Sequence, residues 1–287
     1  MMWYNKYLQI LDKSLDEQDS FLLDQISKAI ANFQSNDPIA TIAIIAYNEE
    51  KRILPCIWSL CENITSNPVE VICINNASSD RTEELFKRIG IRYFNESRKS
   101  AGYARQKGLS EAKGKYYFCI DADTLYPPLY IETMIKALQR KDVVAVSSQY
   151  NFIPEIGINR LTLTLYELIR DFNSYILSIK RPELTVRGSV FAFKTEIAKK
   201  EGFRVNIKRG EDGAMASYLK NYGKIKLVRS RKARAYTSAA PLLKDGGILK
   251  ALFTRINFSL RIITAYFTTK TKYEDQESNL IDSEKNK

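Results

Sequence analysis

The chain reads as an α/β protein with a mostly parallel, Rossmann-like central sheet flanked by helices. Between Pro38 and about Arg140, β-branched apolar runs alternate with amphipathic stretches. Such alternation predicts parallel strands joined by helical crossovers that cover both sheet faces. Three of the runs end in a polar cluster. Ligands of open α/β sheets bind beyond the carboxyl ends of the strands, so the three clusters should meet on one edge. The chain's 287 residues, 45% of them hydrophobic and 27% charged, suffice for a sizeable core.

Residues 1–37 read as a helical N-terminal extension. Leu8, Leu11, Leu15, Leu22, Leu23, Ile26 and Ile30 fall near helical spacing, and packing on the main domain is the expected role. Asn36-Asp37-Pro38 breaks the pattern. A buried strand follows over 39–47, then a helix over "KRILPCIWSLCENI" with Pro55 in its first turn. A second strand covers 69–75. Asp80 with Glu83 three residues on predicts a capping box opening the helix "RTEELFKRIG". Then come a short strand "IRYFN", a helix "AGYARQKGLSEAKG" closing at Gly114, a strand "KYYFCI" and a helix "PPLYIETMIKALQR".

The second half is less regular. A long helix is expected over 159–180, and a glycine turn entering a strand over 187–194. A loop leads to Glu211-Asp212 and a helix closing at Gly223, followed by a basic strand pair within "KLVRSRKARAYTSAAP". Gly246 to Tyr266 forms an amphipathic C-terminal helix with Lys250, Arg255 and Arg261 among apolar residues. Composition predicts a disordered polar tail. The division is thus 1–37, extension; 38–240, main domain; 241–287, amphipathic helix and tail.

A net charge of +11 points to an anionic partner: nucleotide, nucleic acid or anionic membrane surface. The basic residues are dispersed and no nucleic-acid module is present, so nucleic acid is not expected. The absence of histidine excludes His-based triads and HExxH zinc sites, leaving acid–base chemistry mainly to carboxylates. Cys56, Cys61, Cys73 and Cys119 form no CxxC pair and mostly sit in apolar runs, as reduced thiols of a cytoplasmic protein would. No signal peptide or membrane span is expected.

The chemistry concentrates in "YYFCIDADTLYPP". Asp121 and Asp123, one residue apart, stand at the end of a buried strand. Unpaired carboxylates there are costly and repel each other, and a metal ion would offset both effects. Tyr47-Asn48-Glu49-Glu50 follows the first strand and Asn75-Asn76-Ala77-Ser78 the second.

Taken in order, "AIIAYNEEKRI", "INNASSDRT", "AGYARQKGLSEAKGKYYFCIDADT", "RGSVFAF", "EGF" and "GEDGAMASYLKNYGKIKLV" resemble the family 2 glycosyltransferases of GT-A fold, from about Pro38 to Ser238. The resemblance implies a metal-assisted, inverting transfer of sugar from a nucleotide-sugar donor, a UDP-sugar first, to a glycan or lipid-linked acceptor. Departure of a nucleoside diphosphate builds negative charge that Mg²⁺ or Mn²⁺ and basic groups stabilise. By the resemblance, Asp123 ligates the metal and Asp121 lies near the ribose and the metal shell. Ala46, Tyr47, Asn48 and Glu49 form the nucleoside wall, Asn75, Asn76 and Ser78 line the base, and Ala122 joins this set. An acid commonly stands where this chain has Asn75, and an amide presents both donor and acceptor to the base. Gly102 and Arg105 lie beside the donor, with Arg105 a fork for phosphate. Arg187, Gly188 and Ser189 form the acceptor-side loop. Asp212 is the candidate base, with Glu211 positioning it or the acceptor. Many members carry a metal-binding histidine downstream of the acid pair. Here "AYTSAAP" stands in that region, so phosphate and water complete the coordination or metal dependence is weak.

Two other readings remain open at this level: a sugar nucleotidyltransferase, although "AYNEEKR" lacks the glycines of its usual loop, and a non-catalytic binding protein on the same fold. The C-terminal amphipathic segment fits either peripheral contact with the inner face of a membrane or packing on the domain.

Overall fold

The structure, a computed structural model, describes residues 2–153, 159–239, 250, 252–254, 256 and 257. In chain order it opens with α1 (Asn5–Leu8), a 3₁₀ turn at Leu15–Glu17 and α2 (Ser20–Phe33). The strand–helix alternation follows as β1 (Ala40–Ala46), α3 (Ile53–Cys61), β2 (Val69–Asn75), α4 (Thr82–Ile89), β3 (Tyr93–Asn95), α5 (Ala101–Glu111) and β4 (Tyr116–Asp121). Then come β5 (Thr124–Leu125), α6 (Tyr130–Leu138), β6 (Val143–Ser148), β7 (Tyr150–Phe152) and the long α7 (Arg160–Lys180). The chain continues through β8 (Phe191–Lys194), α8 (Thr195–Glu201), α9 (Glu211–Leu219), β9 (Lys224–Val228) and β10 (Ala235–Thr237).

The main sheet runs β3-β2-β1-β4-β8-β6-β9. β3, β2, β1 and β4 are mutually parallel, β8 is antiparallel to both neighbours, and β6 and β9 are parallel. Alternation along each strand divides the core between the sheet's two faces. Ile42, Ile44, Val71, Cys73, Phe118 and Ile120 belong to one buried cluster. Their neighbours Ala43, Ile72, Ile74, Tyr117 and Cys119 belong to the other. A small second sheet, β5-β10-β7, adjoins the end of β4.

Several expectations need correcting. The N-terminal extension is a broken series of helical pieces rather than one amphipathic helix, although Leu23, Ile26 and Ile30 are buried in the first core cluster as the spacing required. The capping box at Asp80 does not form. Asp80 instead accepts the Thr82 N–H at 3.0 Å and the Glu50 N–H at 3.1 Å, and Glu83 is taken up by Lys87 and Tyr93. Gly114 does not close a helix, since α5 ends at Glu111. It is required for close approach: a Cβ there would lie 2.5 Å from the Ala40–Thr41 backbone. The basic segment does not pair with itself. β9 joins β6 in the main sheet and β10 joins β5 and β7, because the intervening turn at Arg231–Ala233 carries the chain from one sheet to the other. Over 187–194 the expected glycine turn, at Gly188–Val190, does enter a strand, which starts at Phe191.

Of the expected C-terminal helix, most residues and the whole polar tail lie outside the described residues. Within it, 252–254 and 256–257 are helical, and Leu252 is buried with Phe152, Leu163 and Tyr166. No helix among the described residues is long and apolar enough to cross a membrane.

Candidate active site

Strand register brings the polar clusters together. Ala46 pairs with Asn75 across β1 and β2, and Ile45 pairs with Asp121 across β1 and β4, so the three carboxyl ends are level. Beyond them opens a cleft of about 470 Å³. Of the residues singled out in the sequence, Ala46, Tyr47, Glu49, Asn76, Asp121, Ala122 and Asp123 line it.

The other polar residues of the first two loops tie the wall together. Asn48, at φ 56°, accepts the Ser79 N–H at 2.7 Å, and its own N–H donates to Ser78 Oγ at 3.0 Å. Asn75 donates to Asn95 Oδ1 at 2.8 Å and accepts the Ser78 N–H at 3.3 Å, so its amide is engaged away from the cleft. Asn76 bonds the Arg98 carbonyl and the Ser100 N–H, fixing the approach to α5. Gly102, in the first turn of α5, has no room for a side chain: a Cβ would lie 2.7 Å from the Arg204 carbonyl oxygen.

The acids around the cleft are short of positive charge. Burial, reinforced by Asp121, pushes the Asp123 carboxyl up to about 6, against hydroxyl bonds from Thr124 at 3.1 Å and Thr237 at 3.3 Å. Burial, together with Asp123, pushes Glu49 up to about 7 despite Arg52. Arg52 is itself bonded to Ser238 and paired with Asp12. Among the described residues no three acidic or thiol side chains close on a single point, so Asp121 and Asp123 form an open set of oxygen donors rather than a cage. The mutually repelling Asp121 and Asp123, the latter with its proton affinity raised by burial, fit a hard divalent cation.

Arg105 links this group to the second acid pair. Its guanidinium, 2% exposed, lies 2.6 Å from Asp121 and 3.1 Å from Asp212. The latter approach is ionic rather than an aligned hydrogen bond, since neither Arg105 Nε nor Asp212 Oδ1 has a hydrogen-bond partner. Burial alone would lower the Arg105 pKa, but Asp212 and Asp121 hold it charged. Burial raises Asp212 above the ordinary carboxylate range, Arg105 opposes it, and Glu211 and Asp121 add to the rise. Asp212 stands in the first turn of α9, beside the buried Glu211 and after Gly210 at φ 99°. Gly188 makes this packing possible: a Cβ would sit 2.1 Å from Arg105 Nη2 and 2.2 Å from Asp212 Oδ2. Ser189 accepts the Tyr126 hydroxyl at 2.6 Å through its carbonyl, and Arg187 is exposed beside them.

Sequence reasoning missed Lys99, Ser100 and Ala101, which line the cleft at the start of α5. The signal was available: Ser100 is an N-cap, accepting the Gly102 N–H at 3.2 Å, and a helix N-terminus offers free N–H groups to an anion. It also missed Thr237. That residue lies in the "AYTSAAP" stretch, and β10's pairing with β5 delivers it to Asp123.

The sheet order and the cleft beyond its carboxyl ends define the GT-A class of fold. Residues 41–202 match the model of glycosyl transferase family 2, and the chain belongs to this family. It is 25% identical over 122 residues to glycosyltransferase GlyG of Streptococcus pneumoniae, covering 40% of each protein. It is 29% identical over 124 residues to the SPbeta prophage-derived glycosyltransferase SunS of Bacillus subtilis, covering 42% of this chain and 28% of that protein. The matches therefore span less than half the length of these relatives. Among solved structures, the mannosyltransferase PcManGT from Pyrobaculum calidifontis, in complex with GDP-Man and Mn²⁺, superposes with TM-score 0.57 at 17% identity over 88% of this chain and 84% of that one. Staphylococcus aureus TarS 1–349 with UDP gives 0.55 at 16% identity, over 76% and 65%. The glucosyl-3-phosphoglycerate synthase from Mycobacterium tuberculosis, in complex with Mn²⁺, UDP-Glc and phosphoglyceric acid, gives 0.52 at 21%, over 85% and 87%. These likenesses establish the shared fold.

Proposed function

We propose that the chain transfers a sugar from a nucleotide-sugar donor to a hydroxyl of a glycan or lipid-linked acceptor, with inversion at the anomeric carbon. The observation that carries this reading is the row of carboxylates on the cleft, Glu49 and Asp123 held above the ordinary range by burial and Asp121 joined through buried Arg105 to Asp212. Asp123 and Asp121 would hold a divalent cation, Mg²⁺ or Mn²⁺. When bound, the cation supplies charge neutralisation for the departing diphosphate. The N-terminus of α5 and Lys99 present further positive potential to the same phosphates.

Ala46, Tyr47 and Glu49 face the nucleoside, while Asn48, Asn75, Asn76 and Ser78 set the shape of the wall. Asp212 takes the proton of the acceptor hydroxyl. Its raised proton affinity suits a base working near neutral pH. Arg105 fixes the Asp212 and Asp121 carboxylates by its contacts to both, and Glu211 positions the base. Gly188, whose lack of a side chain lets Asp212 and Arg105 pack against its backbone, stands with Arg187 and Ser189 on the acceptor side. A UDP-sugar is the first choice of donor, supported by the UDP bound to TarS and the UDP-Glc bound to the mycobacterial synthase. Four buried, unpaired cysteines suit a reducing, cytoplasmic setting.

The test is a donor panel of UDP-, GDP- and dTDP-sugars, assayed for hydrolysis and transfer with Mn²⁺ or with chelator. Saturable turnover with one donor, lost on chelation, is expected. If calorimetry finds no nucleoside diphosphate binding with Mn²⁺ present, the reading fails.

A further inference from the structure

The face of α7 turned to solvent is apolar along its whole length. Leu161, Leu165, Leu168, Phe172, Tyr175 and Ile179 are between 41% and 81% exposed. Their spacing alternates four and three residues, so they form one continuous stripe down a helix ~31 Å long. The opposite face is buried against the domain: Leu163 and Tyr166 are covered, as are Arg170 and Asn173. An amphipathic helix normally turns its apolar stripe to the core and its polar residues to water, and α7 turns this stripe outward instead. Scattered exposed apolar side chains are ordinary, but a contiguous patch marks an interaction surface.

Charge identifies the occupant. The acids of α7 are drawn inward: Glu167 accepts the Phe152 N–H, and Asp171 holds Arg170 and Arg234. The charged residues left exposed on the helix are Arg160 and Lys180, one at each end. The Arg229 guanidinium lies 4.4 Å over the Tyr175 ring, adding positive charge at the stripe itself. Charge-paired helix seams carry acidic and basic residues of both signs along their flanks, whereas α7 exposes no acid. An apolar stripe with basic ends on a chain of net charge +11 matches an anionic bilayer, in which apolar side chains enter the interface and cations meet the headgroups.

We infer that the exposed face of α7 is a docking surface for an anionic lipid bilayer. Residues 252 and 253 add to it, with Leu252 buried against Leu163 and Tyr166 while Phe253 is 66% exposed. The consequence for the reaction rests on the transferase reading. α7 runs through the turn at Pro182–Thr185 into Arg187 and Gly188, against which Asp212 packs. A bilayer under α7 therefore brings a lipid-anchored acceptor to the base.

The experiment is co-sedimentation of the full chain with phosphatidylcholine vesicles containing increasing phosphatidylserine, at low and high salt. Its readouts are bound fraction, thermal melt and solution mass. Binding is expected to rise with phosphatidylserine and fall with salt. The double variant Leu165→Glu/Phe172→Glu should bind about tenfold more weakly or worse, with an unchanged melt. Phe21→Glu, equally exposed but on α2, should bind like the parent. Absence of parental binding to phosphatidylserine vesicles at low salt overturns the inference. So does a melt that drops in the double variant with binding intact, which would mean the chain's own C-terminal segment covers the stripe. A parental dimer that the variant converts to monomer, without vesicle binding, assigns the face to a second copy and also overturns it. None of these readouts requires turnover, so nucleoside diphosphate binding measured without vesicles tests the transferase reading separately.

Discussion

Asp121 and Asp123 stand one residue apart, yet the fold surrounds them differently. Asp121 is 2.6 Å from a buried guanidinium that it shares with Asp212. Asp123 meets only the hydroxyls of Thr124 and Thr237, and burial pushes its carboxyl up to about 6. On the Asp212 side the protein supplies its own counter-charge. On the Asp123 side, where Glu49 is also pushed up to about 7, Arg52 offsets the acids only in part. A charge deficit of this kind is a cost the folded chain bears in the absence of a ligand, and it marks where an external cation adds most.

The largest expected effect tests the deficient side. Asp123→Asn should abolish transfer and remove the rise in melting temperature produced by Mn²⁺, while the metal-free melt is not lowered. Near-normal turnover in this variant would break the comparison. Next, Asp212→Asn should cut turnover about 10²–10⁴-fold while nucleoside diphosphate binding persists. Loss of that binding instead would move Asp212 to the donor site. In the parent, turnover should increase with pH along the acid limb, since the base must be ionised and its proton affinity is raised.

Arg105→Met tests the compensated side. It leaves Asp121 and Asp212 without their shared cation, and breaking a buried ion pair costs about 3–5 kcal/mol. The melting temperature should fall by on the order of 10 °C. A parental melt would mean that the two carboxylates do not depend on the guanidinium. The smallest effect is the pH dependence of metal-free stability. Asp123 and Glu49 have folded-state pKa values raised above their ordinary ones, to about 6 and about 7. The folded state therefore holds more protons between those values and the ordinary carboxylate range, and stability rises as pH falls through that window. The metal-free melt should increase by a few degrees between pH 8 and pH 5, and Mn²⁺ should stabilise mainly at the upper end. A flat profile would show that the deficit is screened by solvent.

Much of this was legible in the residues. The runs "IATIAIIAY" and "VEVICIN" gave β1 and β2 almost to the residue, because buried parallel strands are continuous β-branched stretches whatever their neighbours do. The clusters at Tyr47–Glu50, Asn75–Ser78 and Asp121–Asp123 were placed on one edge by topology alone. The side-chain directions were not legible. By the resemblance Asn75 and Asn48 read as part of the nucleotide wall, and in the structure Asn75 bonds Asn95 of β3 while Asn48 bonds the loop at Ser79. β9 and β10 read as a pair, since local pattern carries no information on which sheet a strand joins.

The sequence by itself determined the alternating architecture, the strand ends that carry the acids, and the dependence on carboxylates in a chain without histidine. These follow from local pattern and composition, which each segment carries with it. Only the tertiary structure decided that Arg105, expected at a phosphate, is shared by Asp121 and Asp212. It alone decided that Thr237 reaches Asp123 and that, among the described residues, the apolar stripe of α7 faces outward. Those facts depend on segments far apart in the chain meeting at a few ångströms. The apolar spacing of α7 is the same whichever face is buried, so solvent exposure had to be settled by what packs against the other side.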